Sequence, residues 1–127
     1  MVKKIISTPH APEPIGPYNQ AIMAENTLYV SGQIGLIPDT MQLVDGGVKE
    51  QAEQVMKNLL AVLEAAKMNF DHVVKTSIFL ADMDDFNTVN EVYGQYFDNQ
   101  TAPARETVAV KTLPKKVDVE ISMIAVK

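Results

Sequence analysis

The alternation of apolar and polar residues is clearest near the end of the chain. Over 117–126, Val117, Val119, Ile121 and Met123 fall on one side of an extended segment, and Asp118, Glu120, Ser122 and Ile124 fall on the other. The preceding run PARETVAV at 103–110 also reads as a strand, with Pro103, which cannot donate to a ladder, marking its entry. A tight Leu-Pro-Lys-Lys turn between the two predicts a hairpin in which Thr107 faces Ser122 and Ala109 faces Glu120, so that Arg105, Thr107 and Glu120 share a face.

Upstream the period changes. Val48, Ala52, Val55, Leu59, Val62, Leu63 and Ala66 recur at three and four, predicting an amphipathic helix of about five turns. Phe86, Val89, Tyr93 and Phe97 form the stripe of a second helix, which Asp82 caps and on which Asn90 also falls. Val73–Leu80 reads as a central strand, Thr27–Gly32 as a short strand ending at a glycine, and Lys3–Ser7 as an N-terminal strand. Between them, four prolines in 9–17 exclude helix. The order β-β-β-α-β-α-β-β predicts an α+β fold with both helices on one face of one sheet. Tyr29, Thr107, Ile124 and Val126 would then leave an apolar patch on the other face, which self-association would cover.

With 127 residues and 46% hydrophobic content, a single domain over 1–127 is expected. Eleven basic against sixteen acidic residues give a net charge of −5, which disfavours a nucleic-acid partner. The chain has no cysteine, so thiol nucleophiles, disulfides and thiolate metal sites are excluded. His10 and His72 lack ligand-spaced partners, and no metal is expected. No segment reads as a signal peptide or membrane span, so a cytoplasmic protein is expected.

The candidate chemistry lies in few residues. The planar fork of Arg105 suits a carboxylate, although an ion pair with Glu106 or Glu120 would also explain it. Glu120 is either a general acid or base or a solvated strand residue, its pKa raised by burial or lowered by Arg105. Tyr18, Ser31 and Asn90 are equally consistent with packing, turn and hydrogen-bonding roles, while Gly32 permits close backbone approach.

Taken together, IGPYNQA at 15–21, VSGQI at 30–34, VVKTSIFLADMDDFNTVNEVY at 73–93, PAR at 103–105 and LPKKVDVEISMIAV at 113–126 resemble the RidA/YjgF family in order and spacing over nearly the full length. The resemblance implies a chorismate-mutase-like fold and a homotrimer, sheets facing inward, with ligand clefts between subunits. It implies hydrolysis of 2-imino and 2-enamino acids such as 2-aminoacrylate and 2-aminocrotonate, without a cofactor. Arg105 would clamp the substrate carboxylate and Glu120 would manage water and protons. Tyr18, Ser31 and Asn90 match cleft positions, and backbone groups of Gly32 and Thr107 would orient the ligand. A non-catalytic trimer that binds 2-keto acids is the alternative, since substrate and product share the carboxylate. This chain departs from the family at Thr107, commonly cysteine, and at Met41 and Lys67, commonly glycine. The last departure makes Asn69 the expected left-handed helix cap.

Overall fold

The computed structural model describes residues 2–127. Six strands form one sheet: β1 (Lys3–Ile6), β2 (Ala21–Ala24), β3 (Thr27–Gln33), β4 (Val73–Leu80), β5 (Ala104–Ala109) and β6 (Val119–Val126). Helices α1 (Val48–Ala65) and α2 (Phe86–Gly94) follow β3 and β4. The element order is the expected one. Spatially the strands run β1-β2-β3-β6-β4-β5, antiparallel except for the parallel pair β4 and β5.

The predicted hairpin between β5 and β6 does not form, because β4 lies between them. The β4-α2-β5 crossover places β5 parallel to β4 at the sheet edge. Strand β6 buries Val119, Ile121, Met123 and Ala125 almost completely and takes the interior slot between β3 and β4. The connection over 110–118 is therefore a crossing rather than a tight turn. It straddles the end of β4, with the Val110 amide donating to the Leu80 carbonyl and the Ala81 amide to that of Asp118. Within it, Lys115 and Lys116 both adopt left-handed backbone, at φ 55°.

The face consequences are large. Arg105 pairs with Thr76, which pairs with Met123, and Thr107 pairs with Ile78, which pairs with Ile121. These rows face the helices. Glu120 pairs with Phe79, which pairs with Val108, on the opposite face. Arg105 and Thr107 thus share a face as expected, but Glu120 does not join them, and Thr107 does not belong to the uncovered patch.

The helix-side core is built from Leu28, Met56, Leu59, Leu63, Ile78, Leu80, Ile121 and Met123, all essentially inaccessible. Such side chains each stabilise the fold by about 1.5–3 kcal/mol through burial. The other face has no layer over it within the protomer. Tyr29 stays 50% exposed, Val108 44% and Val126 40%, in rows that also carry Ile5, Ile22, Ile124 and Phe79. Lys75 and Glu106 form an ion pair of 2.8 Å on this face.

Helix α1 ends on Lys67 rather than Asn69. The Met68 amide donates to Leu63 O and the Lys67 amide to Glu64 O, both at 2.9 Å, with Lys67 left-handed at φ 60°. This is a Schellman closure with a side chain where glycine is usual. Asn69 instead has extended backbone and caps the following turn by accepting from the Asp71 amide. The closure hydrogen bonds fix the conformation, so the chain accepts strain at Lys67. Met41 is likewise left-handed, at φ 58°. Lys67→Gly should therefore stabilise the protein by about 1 kcal/mol, since a non-glycine residue in this region costs about 1–2 kcal/mol. Urea denaturation measures it, and an unchanged or lower midpoint would refute the strain.

Candidate active site

The sequence-derived residues gather into two clusters on opposite faces of the sheet. The first is a cleft of about 630 Å³ whose lining includes Tyr18, Ser31, Gly32 and Glu120. Pro12, Ile15, Ile34, Leu36 and Pro114 supply apolar walls. The second is a smaller hollow, about 210 Å³, lined by Asn90, Tyr93, Phe97, Pro103 and Arg105.

A β-bulge makes the first cluster. Val30 faces Met123 and Gln33 faces Ile121, so Ser31 and Gly32 together oppose Ser122. The extra residue shifts β3 against β6 and brings Gly32 beneath Glu120. A Cβ on Gly32 would lie 2.5 Å from Glu120 Oε2, which only a glycine avoids. Ser31 secures the neighbouring loop: its amide donates to Gln20 O at 2.9 Å, and its hydroxyl donates to Asn19 O at 2.6 Å. Tyr18 is half exposed, and its hydroxyl accepts from the Ile15 amide.

Sequence reasoning missed the group that holds the cleft wall. The buried side chain of Gln20 accepts from the Thr8 amide at 2.7 Å and donates towards the carbonyls of Thr8, Ala11 and Pro12. The proline-rich segment has no ladder of its own, so one amide satisfies it. The position of Gln20 between an aromatic turn and a strand start gave no periodic signal of this role. On the other side, Gln51 and Asp118 exchange two hydrogen bonds of 2.9 Å, fixing the approach to β6.

Burial in this apolar cleft pushes the Glu120 carboxyl above the usual carboxylate range. Arg105, on the other face of the sheet, does not oppose that shift within the protomer.

In the second cluster, Arg105 Nη1 donates to Asn90 Oδ1 at 2.9 Å. Asn90 is exposed at the rim of the α2 stripe rather than buried in it. Neither proposed acidic partner engages Arg105. Glu120 is across the sheet, and Glu106 is taken by Lys75 and by the Ser77 hydroxyl, which together hold its carboxyl below the usual range. The guanidinium is left with donors to spare. Beside it, the buried Oγ1 of Thr107 has no hydrogen-bond partner, a deficit worth about 1–3 kcal/mol. Among the described residues, no group of three or more His, Asp or Glu side chains is arranged to hold a metal ion.

Gly32→Ala is predicted to push the Glu120 carboxylate out of its seat towards solvent, bringing its titration midpoint down towards the ordinary carboxylate range. Carbon NMR of the side-chain carboxyl measures this, and an unmoved midpoint would show that the close approach does not set its environment.

Comparisons with known proteins match the sequence and fold of this chain to one family. The family described as Endoribonuclease L-PSP matches residues 8–127. A human protein named 2-iminobutanoate/2-iminopropanoate deaminase is 49% identical over 127 residues, covering all of this chain and 92% of its own. RidA from an Antarctic Psychrobacter superposes with a TM-score of 0.93 at 43% identity, covering 98% of this chain and 99% of its own. Escherichia coli TdcF with bound serine does so at 0.91 and 40% identity, covering 98% of each chain. A fold, a motif order and a sequence shared over essentially the whole length leave one conclusion: the chain belongs to the Endoribonuclease L-PSP family, the family of the RidA proteins that its motifs resemble.

Proposed function

We propose that the protein hydrolyses reactive 2-imino and 2-enamino acids, such as 2-aminoacrylate and 2-aminocrotonate, to 2-keto acids and ammonia. We propose further that it does so as a homotrimer in which each site joins the two clusters from neighbouring subunits. The observation that carries the reading is their complementarity: a carboxylate without a cation on one face of the sheet and a guanidinium without an anion on the other. The human relative's name supports the reaction, and the serine bound to TdcF supports a ligand with an amino acid's carboxylate. The apolar rows of the uncovered face support association through the sheets. Among the described residues, no helix is long and apolar enough to cross a membrane, and the net charge of −5 disfavours a phosphate-backbone substrate. A soluble protein acting in the cytoplasm on a small carboxylate fits these properties.

The chemistry follows from the groups present. Arg105 holds the substrate carboxylate through its free donors, with Asn90 steadying one arm. Backbone groups at Gly32 and Thr107 orient the ligand, and Tyr18 and Ser31 bound it. An enamine first takes a proton from solvent at C3 and becomes the protonated imine. Water then adds to the C=N carbon as Glu120 accepts one of its protons, and the adduct carries hydroxyl and amine on the same carbon. Glu120 returns the proton to nitrogen, the C–N bond breaks as the adduct hydroxyl becomes the carbonyl and releases its proton to water, and ammonia and the keto acid leave. A carboxyl raised by burial suits this exchange, because accepting and returning a proton are then more nearly balanced near neutral pH.

Glu120→Gln is expected to lower imine hydrolysis about 10²- to 10⁴-fold while 2-keto acid binding survives. In the parent protein the rate should fall as pH falls through a midpoint above the ordinary carboxylate range, because the carboxylate form accepts the proton. The variant should lack that limb. Ammonia release from imine generated in place measures both, and unchanged hydrolysis in an intact oligomer would leave the protein a keto acid binder.

A mixing experiment tests the shared site. Arg105→Lys and Glu120→Gln chains should each be poor alone, but refolding them together should restore about a quarter of parental activity, since random assembly around a ring leaves that share of sites intact. No restoration would place both groups in one subunit's site.

A further inference from the structure

Tyr93 was legible in the sequence only as part of a core stripe, and its hydroxyl and ring serve different neighbours. The hydroxyl donates to Thr76 Oγ1 at 3.0 Å, in a place where Thr76 is wholly buried. Thr76 pairs directly with Arg105 across β4 and β5. The ring is therefore tethered to the row that carries the arginine, and the Arg105 guanidinium carbon lies 4.9 Å from its centroid. Phe86 stands farther off, at 5.8 Å. Behind Tyr93, Phe97 packs at 4.7 Å and Phe70 meets Phe97 edge-on at 5.3 Å, which restricts tilting of the ring.

We infer that Tyr93 is the positioning residue for Arg105, a ring platform that attracts the guanidinium through its face and leaves the in-plane donors free for a substrate carboxylate. A carboxylate neighbour would hold the cation at least as strongly, but it would occupy the same fork that the substrate needs. An aromatic face holds charge without accepting a conventional hydrogen bond from each donor. Asn90 takes one donor and sets the rotation about the remaining axis. Holding the fork before the ligand arrives lowers the ordering cost of binding an otherwise flexible side chain. The inference rests on the reading of Arg105 as the carboxylate clamp, and it adds a residue that touches the clamp rather than the substrate.

The test uses the intact oligomer and two probes, 2-oxobutanoate and its neutral amide, titrated by calorimetry beside KM and kcat for imine hydrolysis. Tyr93→Leu should weaken 2-oxobutanoate binding and raise KM about tenfold, the size of a partly desolvated cation–ring contact, with kcat changed less. Binding of the amide should change little. Tyr93→Phe keeps the ring face and should stay within about threefold of the parent. Replacing Tyr93 with pentafluorophenylalanine keeps a similar shape but reverses the ring's charge distribution, and should weaken 2-oxobutanoate binding relative to Tyr93→Phe. This comparison decides the matter if Tyr93→Leu fails to fold.

Equal binding by the phenylalanine and fluorinated rings, or an equal loss for acid and amide in Tyr93→Leu, would overturn the platform. Arg105→Lys separates that failure from a failure of the clamp. If Arg105→Lys loses 2-oxobutanoate binding while the ring variants do not, only the platform is wrong. If Arg105→Lys binds as the parent does, the clamp itself is wrong, and the platform falls with it.

Discussion

The position of β6 between β3 and β4 governs the rest of the molecule. One side of this strand is among the most deeply buried surfaces of the protein, so it cannot sit at an edge without exposing Val119, Ile121, Met123 and Ala125. Its antiparallel pairing with β4 and β3 closes the sheet over α1. The same placement turns Glu120 away from the helices and, through the bulge at Ser31 and Gly32, brings it against a backbone that has no side chain to interfere. Strand β5 is forced to the edge by the same event. There, Arg105 reaches α2 instead of Glu120.

The two clusters that the proposed site would join are each ordered by ordinary interactions. Hydrogen bonds from Gln20 hold the proline-rich wall, and those between Gln51 and Asp118 hold the approach to β6. Asn58, buried on α1, donates to the carbonyls of Ile34 and Leu36 and fixes the opposite wall. On the other face, the aromatic group around Tyr93 and the amide of Asn90 hold Arg105. Neither half neutralises its own charge. In the proposed trimer, that incompleteness makes association and chemistry parts of one arrangement, since the substrate links a cation of one subunit to a carboxylate of the next.

Glu106 illustrates how sheet parity separates function from structure. It is the immediate neighbour of Arg105, and by proximity in sequence it is the natural ion-pair partner. Successive residues of a strand point to opposite faces, however, and Glu106 instead meets Lys75 and Ser77 on the uncovered side. A structural ion pair is thereby made on one face, while the arginine on the other keeps its donors.

The chain by itself determined the periods of its segments, and hence the two helices, the apolar side of β6 and the element order, because side-chain repeat depends only on local backbone geometry. Motif order marked Tyr18, Ser31, Gly32, Asn90, Arg105, Thr107 and Glu120, and the uncovered face was legible in the apolar residues on both sides of β3 and β6. Strand neighbours were not legible. The turn residues at 113–116 suit a hairpin locally, yet burial of β6 and the direction of the β4-α2-β5 crossover outweigh them. Lys67 shows the same hierarchy at one residue, where closure of α1 imposes a left-handed backbone against local preference. Only the tertiary structure therefore decided that Arg105 and Glu120 lie on opposite faces and that Tyr93 lies beside the guanidinium, because those relations depend on which strands lie side by side, and strand pairing is settled by the whole core at once.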